Sequence, residues 1–227
     1  MDLNNYLYEA VKKCISRNTA QIIEENDEGI IIVNDGILMI ATDNNELAKN
    51  WLDKYHGLKH DILSIMGDES VSDYAQEKYG YKGCKKTYQV VYTKPEPPKR
   101  LTDLKIRLAK PSDFSLIGKN YDMTYEDLLV LIKEERIFVG ENSECAVGFI
   151  GEHSEGSMGI LFVKEEYRKH GYAYDLEAFM IERQMNMGYV PFGNIVVNND
   201  KSLALQKKMG LEIVDGFIYW LFLENLA

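Results

Sequence analysis

The chain has 227 residues, 45 % of them hydrophobic and 27 % charged, with 17 Gly and 5 Pro. This is enough apolar mass for a core and too little bias for a disordered or collagen-like protein. Lys and Arg number 26 against 36 Asp and Glu, a net charge of −10 at pH 7, so no nucleic-acid partner is expected, because such a partner needs cations to neutralise phosphate. No apolar run approaches membrane length, and Met1–Asn5 has neither the charged start nor the apolar stretch of a signal peptide, so the expectations are no membrane and a cytoplasmic location. Cys14, Cys84 and Cys145 are odd in number and widely spaced. They read as free thiols rather than a disulfide framework or a zinc site, with Cys145 expected to pack in the interior.

In chain order, apolar periodicity predicts a helix over Leu3–Ser16, strands at Gln21–Glu24, Gly29–Val33 and Ile37–Ala41, and a helix over Asn45–Tyr55. A strand at Asp61–Ile65, a helix at Ser72–Tyr79 and a strand at Tyr88–Tyr92 follow. Lys94-Pro-Glu-Pro-Pro-Lys-Arg100 then removes backbone donors and favours extended backbone, as a linker does. It divides the chain into a first domain, 1–93, a linker, 94–100, and a second domain, 101–227. The second begins with a strand at Lys105–Leu108, helices at Pro111–Ile117 and Tyr125–Lys133, and strands at Ile137–Gly140, Cys145–Gly151 and Met158–Lys164. A helix at Tyr172–Met187 ends before Gly188, and after it come a strand at Asn194–Val197 and a helix at Lys201–Met209 stopped by Gly210. Strands at Leu211–Val214 and Phe217–Leu223 close the chain.

The two parts carry a weak internal repeat. Ser72, Gln76, Lys78 and Gly80 have the spacing of Ser202, Gln206, Lys208 and Gly210, and each set follows a strand–helix–strand unit beginning Gly-Ile-Leu. The first part reads as structural packing, a lid or a homodimer surface.

The stretch richest in chemistry runs from Ile160 to Ala173, a strand, a short polar loop and the start of a helix. Amides at a helix start are unpaired and lie at the positive end of the dipole, so the loop Arg168-Lys169-His170-Gly171-Tyr172-Ala173 suits an anion such as a pyrophosphate. Taken alone, Gly171 reads equally as a turn residue and Arg168 as a solvated charge.

Val163-x4-Arg168-x2-Gly171-x-Ala173, followed by Asn199-x2-Ser202 and Gly210-Leu211, resembles the acyl-CoA signature of the GNAT superfamily of N-acetyltransferases. Tyr167 before Arg168, together with Tyr219-Trp220, looks closest to the glycine N-acyltransferase-like branch. The resemblance covers about Leu104 to Leu223. It implies an α/β fold with a mixed sheet in the second domain, and the first would be a smaller, degenerate copy. The strand ending at Val163 would splay from the strand at Asn194–Val197. Pantetheine would pair with the backbone near Leu161 and Val163, the pyrophosphate would lie on Arg168–Ala173, and Asn199 and Ser202 would lie near the thioester. Acetyl-CoA would be the acyl donor, with no metal. One CoA site is expected, because Ala41–Glu46, in the equivalent place of the first part, is acidic.

Acyl transfer to an amine needs the ammonium deprotonated, the carbonyl polarised and the leaving thiolate assisted. The turn Glu152-His153-Ser154-Glu155-Gly156-Ser157 concentrates proton acceptors, with Glu155 and His153 as candidate bases beside the plainer reading of a polar hairpin turn. The position where many GNAT enzymes carry a Tyr acid holds Gln206, which is no acid. Ser202, a Tyr or water would assist the thiol instead, or the thiol's moderate pKa, about 8.5 for a cysteine-like thiol, makes a dedicated acid unnecessary, or the protein binds CoA without turnover. His56 and His60 have helical spacing but lack further ligands nearby. Tyr219–Leu223 reads as a core or edge strand. The first expectation is therefore an acyl-CoA-dependent N-acetyltransferase acting on a small-molecule primary amine or amino acid. A non-catalytic CoA sensor is the alternative.

Overall fold

The computed structural model describes residues 5–223. Leu3 and Asn4 of the expected first helix lie outside the described residues. Tyr6–Tyr8 form a 3-10 turn whose start is capped by Asn5, and α1 occupies Glu9–Ser16. Next come β1 (Gln21–Asn26), β2 (Gly29–Asn34), β3 (Ile37–Thr42), α2 (Asn45–Tyr55), β4 (Ile62–Gly67), α3 (Glu69–Tyr79) and β5 (Gly83–Val91). The remainder is β6 (Lys105–Leu108), α4 (Phe114–Asn120), α5 (Tyr125–Lys133), β7 (Ile137–Glu141), β8 (Ala146–Glu152), β9 (Met158–Val163), α6 (Tyr172–Asn186), β10 (Phe192–Val196), α7 (Asp200–Met209), β11 (Glu212–Ile213) and β12 (Phe217–Phe222). Pro111–Asp113, expected as the first helical turn of α4, is a 3-10 turn instead. Asp113 there accepts from the Lys110 amide and from Arg107, which tightens the entry to the helix.

Among the described residues, all twelve strands belong to one mixed sheet, ordered β1-β2-β3-β4-β12-β5-β10-β9-β8-β7-β6, with β11 beside β5. The last strand of each part has changed places. β12, the last described strand in chain order, pairs antiparallel with β4 of the first part through six positions, and β5 pairs with β10 of the second. Tyr219–Phe222 therefore belongs to an interior strand, β12, which is buried at Ile218, Tyr219 and Leu221.

Strand alternation sorts the core into layers. Leu38 and Ile40 of β3 pack with Trp51 and Leu52 of α2 and Val71 and Ala75 of α3, while Met39 and Ala41 pack against α1. In the second part α6 and α7 bury Leu176, Met180, Ile181 and Met209, and α4 and α5 pack through Ile117, Leu128 and Leu131 against Val139 and Phe149. α3 and α7 end alike, at Gly80 and Gly210 with φ of 75° and 88°, a conformation that favours glycine. These are two of the repeated positions.

The three cysteines are free. Cys145 is half-buried rather than interior, because it sits at the irregular start of β8, where its Sγ meets the Tyr167 hydroxyl at 3.3 Å. Cys14 is buried, and burial pushes its thiol up to about 12, which keeps it protonated. Nδ1 of His56 contacts the Leu52 carbonyl, and both ring nitrogens of His60 are engaged, by the Leu58 carbonyl and the Tyr81 hydroxyl. Among the described residues no helix is long and apolar enough to cross a membrane.

Candidate active site

β9 and β10 run parallel but meet at one position, Gly193 opposite Met158. Beyond it they separate. The cause lies within β9, where Gly151 pairs with Gly159 and Phe149 with Phe162, so that Ile160 and Leu161 together face the single residue Ile150. This is a β-bulge, which bends its strand and leaves ladder groups unpaired. Ile160 sits there with φ +51°, a strained value for a β-branched residue. The bulged backbone thus faces an opening between the two strands.

The opening is a cleft of about 670 Å³. One wall is the β8–β9 turn and the bulge, with His153, Glu155, Ile160 and Leu161; the other is β10 and the start of α7, with Asn194, Asn199, Ser202 and Gln206. Glu177 of α6 and Trp220 of β12 also line it, as do Ile37, Ile62 and Lys85 from the first part of the chain, so that part supplies cleft wall as well as packing. Tyr121, which follows α4, completes it, and burial pushes its phenol up from the usual range.

Of the residues singled out in the sequence, His153, Glu155, Leu161, Asn199 and Ser202 come together in this cleft. Val163 lies outside its lining, at the end of β9, where its carbonyl accepts from Arg168 Nε at 3.3 Å. Lys169, His170, Gly171, Tyr172 and Ala173 form the loop and first turn of α6. Arg168 is exposed, 3.8 Å from the Glu165 carboxylate, and lines a different recess with Lys164, Glu165 and Glu166.

The α6 terminus is built to leave its amides open. Gly171 at the N-cap has φ +89° and gives no side-chain cap. By contrast α2, α3 and α5 begin with Asn44, Asp68 and Thr124, whose side chains accept from the first-turn amides. Asp175 in the first turn of α6 is fully buried and turned to the linker end, accepting from the Leu101 amide at 2.6 Å and the Thr102 amide at 2.9 Å. This holds Thr102 against the loop, where a Cβ on Gly171 would come within 3.3 Å of its methyl group.

The β8–β9 turn is fixed from below by α1. Glu152, 2 % exposed, accepts from Lys13 Nζ at 3.2 Å, Arg17 Nη1 at 2.5 Å and Gln184 Nε2 at 2.7 Å, and Lys13 also donates to the Gly156 carbonyl at 2.7 Å. Burial outweighs the attraction of Glu152 and lowers Lys13 to about 8. Glu155 is 5 % exposed, and its carboxylate accepts from Ser157 Oγ. The His153 ring lies against Gly159, so closely that a Cβ there would come 2.5 Å from Nε2. Only glycine lets the imidazole rest on β9 beside the bulge.

The fold around these residues is similar to that of known proteins. The family model described as FR47-like protein matches residues 137–220, the segment from β7 to β12 that supplies most of the cleft's lining. Among solved structures, a Drosophila protein is similar with a TM-score of 0.68 at 13 % identity, over 95 % of this chain and 87 % of its own. An acetyltransferase of the GNAT family from Colwellia psychrerythraea has a TM-score of 0.55 at 12 % identity, over 89 % and 84 % of the two chains. The fold is the GNAT acetyltransferase fold. A GCN5-related N-acetyltransferase-like protein from Streptococcus suis shares it with a TM-score of 0.56 at 16 % identity, over 94 % and 92 %. No curated protein matches the sequence significantly.

The site residues that sequence reading missed are Glu177, Asn194, Tyr121 and the bulge at Ile160. Glu177 had no local signal, since α6 also buries the polar Asp175 and Gln184 among Leu176, Ala178, Met180 and Ile181. Tyr121 and Lys85 reach the cleft through tertiary packing, which has no local signature.

Proposed function

We propose that the chain is an acyl-CoA-dependent N-acyltransferase, with acetyl-CoA as donor and a primary amine of a small molecule or amino acid as acceptor. The observation that carries this reading is the opening of the β9–β10 ladder, together with the uncapped N-terminus of α6, the helix whose Glu177 lines the same cleft. An extended amide-bearing chain fits between two separated strands as a strand would, and the bare amides at Gly171 to Ala173 suit a pyrophosphate. The unpartnered buried amide of Asn194 in the same cleft is a further group that such a chain can satisfy.

The donor brings a thioester carbonyl activated toward nucleophiles. The protein's part is to bind, orient and move protons. The bulged backbone at Ile160–Leu161 supplies an N–H toward the carbonyl. Glu155 or His153, on a turn anchored by the Lys13–Glu152 network, takes the proton from the acceptor ammonium, directly or through water. A recess of about 340 Å³ shares Tyr121, His153, Ser154 and Ile160 with the cleft and is lined by Asp35 and Asp122, which suits a cationic acceptor. The finer placement in the glycine N-acyltransferase-like branch rests on the Tyr167-Arg168-x2-Gly171 loop and Tyr219-Trp220.

A second reading, a CoA-binding module without turnover, is favoured by Gln206 in the place of a Tyr acid. A thermal-shift titration with acetyl-CoA and CoA, followed by an assay of thiol release with a panel of amines, separates the two. Saturation at 100 times Kd stabilises by about 2.7 kcal/mol, a shift of a few degrees. A shift with amine-dependent thiol release supports the transferase, a shift without release supports the module, and no shift removes both.

A further inference from the structure

Behind the cleft wall lies a polar cluster that neither the β8–β9 turn nor the α6 loop uses. Glu177 of α6 is 6 % exposed and Gln206 of α7 is 7 % exposed, and both line the cleft. Gln206 Nε2 donates to Glu177 Oε1 at 2.6 Å. Glu177 Oε2, Gln206 Oε1 and both side-chain polar atoms of Asn194 have no hydrogen-bond partner in the protein. Four orphaned atoms on three neighbouring elements of one cleft call for a ligand, since leaving such groups buried and unpaired costs about 1–3 kcal/mol each.

The cluster has a defined protonation state. Burial pushes the Glu177 carboxyl up to about 8, with the hydrogen bond from Gln206 opposing it. The other titratable groups on the cleft walls are Lys85 of β5, Tyr121, His153 and Glu155 of the β8–β9 turn, and Lys201 of α7. At neutral pH Glu177 is therefore a neutral acid. Oε1 accepts from the amide, so the proton belongs on Oε2, the oxygen without a partner. A neutral carboxyl in an apolar site is a hydrogen donor.

We propose that Glu177 is the proton donor to the departing thiolate, with Gln206 as its positioning residue. This rests on the transferase reading and supplies the acid that Gln206 itself cannot be. The amine nitrogen forms the C–N bond, the C–S bond breaks with its electron pair passing to sulfur, and Oε2–H protonates the sulfur to give free thiol. The proton lost by the amine goes to Glu155 or His153 and on to solvent, and Glu177 regains one from solvent. A donor near 8 is matched to a thiol near 8.5, the condition under which acid catalysis is efficient.

Infrared difference spectra of wild type minus Glu177→Gln should show a protonated-carboxyl band at pH 6.5 that fades as pH passes about 8. The band should shift when CoA is added and stay in place with desulfo-CoA, which lacks the sulfur. In turnover with acetyl-CoA, Glu177→Gln should lower kcat by about 10- to 100-fold with KM little changed and remove the basic limb of the pH profile. An acetyl thioester of a more acidic thiol should restore most of the lost rate. Gln206→Leu keeps the acid, removes the opposing hydrogen bond and should move the limb to higher pH. If wild type releases thiol and Glu177→Gln matches it in kcat and pH profile, the proposal falls and the transferase reading stands. If wild type releases no thiol with any amine, the transferase reading falls and the donor role with it, whether or not CoA moves the band. Absence of the band at pH 6.5 overturns the proposal on its own.

Discussion

The sheet contains two strand–helix–strand units of the same topology, β3-α2-β4 and β9-α6-β10, and they differ in the one respect that matters for binding. β3 and β4 stay paired through five positions, from Ile37–Ile62 to Ala41–Met66, and every residue of β3 is buried. β9 and β10 share one position. The helix of the closed unit begins with Asn44, whose side chain takes the amides of Glu46 and Leu47; the helix of the open unit begins with Gly171, which takes none. The same path of the chain thus makes a sealed piece of core or a cleft, according to one bulge and one cap. Topology alone does not carry the site.

The largest expected effect comes from separating the units. Expressed alone, residues 101–227 leave β12 without β4 and β5, and should show no cooperative unfolding transition in calorimetry; adding residues 1–100 should restore one. A cooperative transition for the isolated fragment would mean that the exchange of strands is dispensable. Next is the cap. Gly171→Val forces a β-branched residue to φ +89° against Thr102 and should weaken CoA binding by at least about 100-fold in calorimetric titration. The matching change in the closed unit, Asn44→Ala, should cost about 1 kcal/mol of stability and leave CoA affinity unchanged.

A smaller effect should come from the turn. Replacing Glu155 by Gln together with His153 by Asn should lower amine-dependent kcat by about 10²- to 10³-fold while the Kd for CoA holds. Unchanged turnover would remove both from the proton path. The smallest effect concerns stability against pH. Glu177 is raised from 4.5 to about 8 in the folded protein, so between those values the native state holds a proton that the unfolded chain has lost, and stability falls as pH rises through that window. Glu177→Gln should flatten this slope and make the protein more stable than wild type at pH 8, as read from denaturant midpoints.

Much of this architecture is legible in the chain. The unbroken apolar runs Ile30–Val33 and Ile37–Ala41, the stops at Gly80 and Gly210, and the Arg168–Ala173 loop after an apolar strand are local patterns, and local patterns are what hydrophobic runs and capping report. The exchange of β5 and β12 was not legible, because antiparallel partners leave no mark on a strand's own sequence. Nor was the opening of β9, since Ile160 is an ordinary strand residue until its ladder slips. The turn and the α7 residues of the candidate site were readable as motifs. Glu177 was hidden by its place in a helix whose neighbours pack inward, and its meaning appears only when α7 brings Gln206 to it.

The position of β12 also bears on how the molecule comes into being. This strand is synthesised after every other described strand of the sheet, yet it occupies the middle, between β4 and β5. Until it arrives, both of those strands present bare edges, the kind of surface on which other chains add. The sheet therefore cannot close until β12 has been made, and the nascent chain passes through a stage whose centre is unfilled, a stage in which pairing with the wrong partner competes with the arrival of its own central strand.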